Sequence, residues 1–329
     1  MRRGCELLLL LALLLASARA LAGCSEVASA DCLRAFELPG SAGRMSYYAS
    51  DSVAAPRSVL LVMHGHPRDA NRSFEAGLLA ARRAGRLGDT LVVAPIYQVP
   101  HEHAARCQSP DVPSAQAGDA VWTCGGWLAG EPSLGAHPIG AFAALDALVA
   151  ELVRRWPSLR EVTLAGFSAG AQMLQHSIGF AADPPAGVAL RYVIADPGSW
   201  LYFDPVRPVP PVDCPGYDDW KYGVRALPAH LGRSAQQARE RYIAARVDYL
   251  EGERDSSAAK GAFYPILDKS CAAMAQGPFR LQRGLAFVEY ERSVLKPPQP
   301  RRMVVVSGCG HDVRCVLPEA AARPVLFGR

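Results

Sequence analysis

The segment Glu161 to Gln172, EVTLAGFSAGAQ, runs through β-branched and apolar residues to a serine, Ser168, with glycines two positions before it and two after. Glu161 to Ala165 read as a strand and Ala169 to about Ile178 as a helix, which puts Ser168 on the turn between them. A strand-to-helix turn that thrusts a side chain outward forces its residue into a strained backbone, and bulk two residues away on either side would hold strand and helix apart. The helix behind the serine adds free N–H groups and the positive end of its dipole, which favour an oxyanion forming beside Ser168. A tight turn with no chemistry is the plain alternative. The flanking elements are what separate the two readings.

Those elements continue along the chain. Ser58 to Met63 (SVLLVM) and Asp89 to Ile96 (DTLVVAPI) are near-continuous apolar runs, as strands covered on both faces of a parallel sheet require. Ala70 to Leu87 between them reads as a helix. From Ile139 to Trp156, Phe142, Leu145, Leu148, Val149 and Leu152 recur at spacings of three and four, an amphipathic helix that Pro157 ends. Ala189 to Ala195, Arg246 to Leu250 and Arg302 to Ser307 are further strands. The expected class is α/β, with a mostly parallel central sheet flanked by helices and an irregular insertion after the sixth strand. The stretch after Ser199 is rich in proline and aromatics, so about 199–240 reads as a cap or insertion over the sheet edge, or else as a long surface excursion, within a single domain, 23–329.

A nucleophilic serine needs a base, and the base needs an orienting carboxylate. His311 follows the apolar strand Met303 to Val306 in the loop Ser307-Gly308-Cys309-Gly310-His311-Asp312, where a last strand would deliver it to the active edge of a sheet. Asp255 follows the strand before that, after a glycine turn at Gly252; Asp196, at the end of an earlier strand, is the rival acid. An oxyanion hole needs two backbone donors. One is the N–H of Ala169, after the serine. The other comes from the loop His64-Gly65-His66-Pro67, where proline has no N–H and His66 is the expected donor; His64 is expected to be structural. Trp127, Trp200 and Tyr202, with Trp122 and Phe203 beside them in sequence, are candidates for lining the substrate site, core packing being the equal alternative. His101-Glu102-His103 lies in a predicted loop without a third ligand in view, so no metal is expected there. Acyl transfer through a serine calls for no cofactor.

Composition sets the surroundings. With 329 residues, 50% hydrophobic and 20% charged, the chain can bury a large core. Met1-Arg2-Arg3, the uncharged run Leu7 to Ala16 and small residues ending at Ala22 read as a signal peptide, residues 1–22. Its apolar run falls short of the roughly 20 residues a membrane-spanning helix needs. Removing it leaves 32 Lys and Arg against 30 Asp and Glu, a net charge of +2 that gives no reason to expect a nucleic-acid partner. Cysteines 24, 32, 107, 124, 214, 271, 309 and 315 then remain, an even set that suits disulfides in an oxidising compartment. Short-range candidates are Cys24 with Cys32, Cys107 with Cys124 and Cys309 with Cys315, leaving Cys214 with Cys271; sequence alone does not settle the connectivity. The expected location is secreted or periplasmic. The alternative is a lipoprotein anchored through Cys24, since Leu21-Ala22-Gly23-Cys24 resembles a lipobox.

Together, HG after an early strand, GFSAG at mid-chain, G-x-x-D late and GCGHD near the end resemble the α/β-hydrolase superfamily, whose order of serine, acid and histidine this chain shares. HGHPRDAN, His64 to Asn71, and LDKSCAAMAQG, Leu267 to Gly277, resemble a secreted, serine-esterase-like branch with bacterial and fungal members. The resemblance spans roughly Ser58 to Asp312. It implies hydrolysis of a small-molecule or polymeric carboxylic ester through an acyl-enzyme on Ser168. The alternatives are a catalytically silent binding protein of the same fold, or a hydrolase of another acyl bond such as an amide. Cys309 and Cys315 around the histidine depart from the commonest pattern of the superfamily.

Overall fold

The structure, a computed structural model, describes residues 23–328. The segment 1–22, read above as a signal peptide, lies outside the described residues. Eight strands make one sheet: β1 Leu33–Glu37, β2 Arg44–Ala49, β3 Ser58–Met63, β4 Thr90–Ile96, β5 Glu161–Phe167, β6 Ala189–Ala195, β7 Val247–Gly252 and β8 Met303–Val306, in the spatial order β1-β2-β4-β3-β5-β6-β7-β8. β1 and β2 pair antiparallel, as do β2 and β4. From β4 to β8 every pairing is parallel.

The unbroken apolar runs follow from burial on both faces. In β3, Val59, Leu61 and Met63 face one core, which the helices Ala141–Arg155 and Ala169–Ser177 complete, while Leu60 and Val62 face the other. The second core is closed by Ala76 and Ala80 of the helix Ala70–Arg83 and by the C-terminal segments around Val313 and Leu326. β5 and β6 repeat the alternation: Leu164 and Ile194 point one way, Ala165 and Val193 the other. The helix expected over Ala70 to Leu87 stops at Arg83, and His101-Glu102-His103, read as loop, open a short helix, His101–Cys107.

The chain leaves β3 toward β4 on one side, while β5 to β8 are laid down on the other, so the order reverses between β3 and β5. Ligands of open α/β sheets bind at such a switch point, beyond the carboxyl ends of the strands. His64, Ser168, Asp196, Asp255 and His311 all follow the carboxyl ends of parallel strands there.

The stretch after β6 is irregular, and side chains fix it. Arg207 reaches the Asp218 carboxylate and the carbonyls of Tyr217 and Tyr222, with its guanidinium over the Tyr202 ring at 4.4 Å. Gln276 bonds both the N–H and the carbonyl of Trp200. Cys214 is paired with Cys271, and the other pairs are Cys24–Cys32, Cys107–Cys124 and Cys309–Cys315.

Gly77, in the middle of the helix Ala70–Arg83, lets that helix lie directly on the sheet: a Cβ there would come 2.9 Å from methyls of both Val62 and Val92. Alanine is the better helix former by about 1 kcal/mol, whereas overpacking a close-packed core costs about 1–3 kcal/mol. Gly77→Ala is therefore expected to destabilise the protein, against its helix propensity, which a urea unfolding midpoint will show.

Candidate active site

Ser168 occupies a backbone conformation that L-residues rarely adopt, φ 56° and ψ −122°, between β5 and the helix Ala169–Ser177. Its N–H is tied to the carbonyl of Ala195 on β6 at 2.9 Å. The flanking glycines are demanded by contact. A Cβ on Gly166 would stand 2.6 Å from the backbone of Gly170, and one on Gly170 would stand 2.7 Å from the carbonyl oxygen of Met63. Strand, turn and helix can close to that distance only without side chains at both positions, and closure presents the half-buried Ser168 hydroxyl at the sheet edge.

The structure brings Ser168, His311 and Asp255 together in one hydrogen-bonded chain. His311 Nε2 lies 2.8 Å from Ser168 Oγ, and its Nδ1 lies 2.6 Å from Asp255 Oδ2. This geometry sets the proton on Nδ1, donated to the carboxylate, and leaves Nε2 to accept from the hydroxyl. Burial lowers the pKa of His311 below its ordinary value, and the hydrogen bond and charge of Asp255 offset part of that. The imidazole is thereby neutral and able to take a proton near pH 7. Glycines again permit the approach: a Cβ on Gly252 would stand 2.8 Å from the Gly310 carbonyl, so the histidine loop lies against the end of β7. The His311 N–H donates to Gly261, and the Cys309–Cys315 pair closes the loop around the histidine.

Asp196 is not on the histidine. Wholly buried, with φ 48°, it accepts the N–H of Gly252 at 2.8 Å. Two further residues join this buried group without any signal in the sequence patterns used above. Arg280 donates to Asp255 Oδ1 at 3.1 Å and to the Ala262 carbonyl at 2.7 Å, so the two oxygens of Asp255 are divided between an arginine and the histidine. Glu251, near the carboxyl end of β7, is wholly buried beside Asp196. Burial first, then the neighbouring acid charge, raises Asp196 to about 7 and Glu251 well above the carboxylate range, while the two oxygens of Asp255 are engaged by Arg280 and His311. Glu251 follows Tyr249 and Leu250 in a strand that also carries Asp248, so its letter does not single it out, and Arg280, in the sequence Phe279-Arg280-Leu281-Gln282-Arg283, looks like an ordinary surface arginine. Asp196, Asp255 and His311 each place a ligand-type atom within 4.8 Å of the others, but Asp255 and His311 are already committed to the arginine and the serine.

The loop after β3 lies against the serine, since a Cβ on Gly65 would be 3.9 Å from Ser168 Cβ. Gly65 gives its N–H to Asp69 at 2.9 Å, and Pro67 has none. The N–H of Ala169, in the first turn of its helix, has no carbonyl one turn earlier within that helix. His64 is buried and structural: Nδ1–H donates to the Gly65 carbonyl, Nε2 accepts the N–H of Tyr97, and burial pushes its pKa down to about 3. Arg68, also buried, binds the carbonyls of Tyr97, Cys107 and Thr123 and so fastens the Cys107–Cys124 segment to this loop.

The aromatic candidates are placed otherwise than a substrate lining requires. Trp127, Trp200 and Tyr202 have no exposed surface. Trp200 stacks on Phe287 with centroids 4.4 Å apart, Tyr202 packs on Phe287 and Tyr290, and Trp127 lies against His64 and Tyr97. Their large apolar area is spent on the core, the equal alternative considered from sequence. The rings that do touch His311 are Phe167, buried at 4.7 Å, and Phe263, exposed at 6.1 Å.

No protein-family model and no curated protein matches the chain. Among solved structures, it is similar to poly(aspartic acid) hydrolase-1 from Sphingomonas sp. KT-1, at 20% identity over 89% of this chain and 98% of that one, with a TM-score of 0.62. It is also similar to LpqC, a poly(3-hydroxybutyrate) depolymerase from Bordetella parapertussis, at 19% identity over 90% and 91% of the two chains, with a TM-score of 0.60. The sheet order, the turn at Ser168 and these likenesses establish the α/β-hydrolase fold.

Arg280 is buried with Asp255, and removing one partner of a buried ion pair typically costs about 3–5 kcal/mol. Arg280→Met is expected to lower stability by that order, read by urea unfolding. Because the arginine's charge also helps to hold His311 below its ordinary pKa, the same variant is expected to move the His311 titration upward in NMR.

Proposed function

We propose that the protein is a secreted serine hydrolase that cleaves carboxylic esters, with Ser168 as nucleophile, His311 as general base and acid, and Asp255 as its orienting carboxylate. The observation that carries this reading is the continuous chain from Ser168 Oγ to His311 Nε2 at 2.8 Å and from His311 Nδ1 to Asp255 Oδ2 at 2.6 Å. As Ser168 Oγ attacks the ester carbonyl, its proton passes to His311 Nε2. Asp255 stabilises the imidazolium, and the N–H groups of Ala169 and His66 receive the oxyanion. Collapse breaks the bond to the alcohol, which leaves with the proton from His311. Water then repeats the sequence on the acyl-enzyme and releases the acid, restoring Ser168.

Secretion is supported by the N-terminal pattern and by four cysteine pairs, which persist in oxidising compartments. The pairing of Cys24 with Cys32 occupies the thiol that a lipid anchor would need, which favours the unanchored form. Among the described residues no helix is long and apolar enough to cross a membrane. Small-molecule and polymeric esters both suit this chemistry.

Hydrolysis of p-nitrophenyl esters from acetate to palmitate tests the proposal. Ser168→Ala is expected to lower kcat by about 10,000-fold or more, and an equal rate from the variant would refute the assignment. His311 acts in its neutral form, and its pKa is depressed, so kcat/KM is expected to hold as pH falls past about 6.5, the ordinary histidine value, and to decline only below it. An acid limb above that value would contradict the buried, neutral histidine.

A further inference from the structure

We propose that Phe263 is the apolar wall for the alcohol portion of the ester, which makes it a specificity-determining residue. The inference rests on the ester-hydrolase reading above. Phe263 is 55% exposed although phenylalanine is among the more buried residue types, and its backbone is in the left-handed region, φ 47° and ψ 36°, where a bulky side chain is a rarity. Its segment is nonetheless held from several sides. The Gly261 carbonyl accepts the His311 N–H at 3.1 Å, and the Ala262 carbonyl accepts from Arg280, the same arginine that grips Asp255. Lys269 Nζ donates to the carbonyls of Tyr264 and Pro265 just beyond. An exposed aromatic ring held in an uncommon conformation by the residues that position the acid and the base calls for a role at the site.

Chemistry fixes which part of the substrate it meets. His311 must hand its proton to the departing alcohol oxygen, so that oxygen lies against the imidazole when the bond breaks. Phe263 stands edge-on to the same imidazole, at 6.1 Å between centroids and 61° between planes, while Phe167, the other ring on His311, is buried in the sheet. The substituent on the leaving oxygen therefore runs past Phe263 and toward Ile266, 66% exposed on the same segment. The acyl group lies beyond the carbonyl carbon, away from the imidazole. The occupant inferred is thus an apolar alcohol moiety, met during acylation and gone before deacylation.

Two substrate pairs separate the sides: ethyl against hexyl butyrate varies the alcohol, and ethyl butyrate against ethyl octanoate varies the acyl chain. Phe263→Ala is expected to lower the hexyl-to-ethyl ratio of kcat/KM by about 10-fold, the low end of what a lost apolar contact gives in a pocket, and to leave the octanoate-to-butyrate ratio where it was. Phe263→Leu should restore most of the preference. Phe263→Gly, which suits the left-handed backbone, should lose it as alanine does, so the effect belongs to the ring and not to strain. Stoichiometric labelling of Ser168 by a fluorophosphonate shows that each variant is folded. An unchanged hexyl-to-ethyl ratio in the alanine variant, or a parallel fall in both ratios, overturns the inference and leaves the hydrolase reading intact. A wild-type protein that takes no label and cleaves none of these esters overturns the hydrolase reading and this inference with it.

Discussion

The structure depends on one tight turn: a serine at φ 56° pinned between a strand and a helix that touch through two glycines. A residue in that region costs of order 1–3 kcal/mol and persists only where its surroundings over-determine it. Here the surroundings are the parallel sheet itself. The N–H of Ser168 is held by Ala195 on β6, and Gly170 lies under the end of β3, so the strain is carried by the strands on either side of β5. The loop after β3 and the end of β6 are thereby set around the serine. The loops after β7 and β8 follow from the parallel register that continues outward.

Behind the serine lies a second constraint, electrostatic in kind. Asp196, Glu251, Asp255, Arg280 and His311 are all buried. Three acids and one arginine could not all be ionised there without a large desolvation penalty. Burial and the neighbouring acid charge raise Asp196 to about 7 and Glu251 well above its ordinary value, which eases the imbalance. Asp255 is the acid that meets both Arg280, through Oδ1, and the histidine, through Oδ2. Arg280 also holds the Ala262 carbonyl, so the acid and the exposed Phe263 are positioned by one side chain.

Much of this was legible in the chain, for reasons that differ from residue to residue. The strands read correctly because burial on both faces leaves runs such as SVLLVM with no polar interruption. Ser168, Asp255 and His311 stood out because each follows a strand and a glycine-bearing turn, and glycine there is a steric requirement visible in the letters. The aromatics were not legible: Trp127, Trp200 and Tyr202 are the kind of residue a pocket or a core can use, and only packing against Phe287, Tyr290, His64 and Tyr97 decides. Arg280 and Phe263 were missed because their significance lies in what folding places beside them, an aspartate 25 residues earlier and a histidine in the next strand's loop. The short helix at His101 likewise carried no strong start signal, opening directly after Pro100.

The most direct test of the account is mass spectrometry of the protein after reaction with a fluorophosphonate at neutral pH. The account predicts a single adduct, one per molecule, on the peptide that carries Ser168, formed faster as His311 loses its proton. An unmodified protein, or an adduct on any other residue, would contradict the claim that this strained serine is the activated nucleophile.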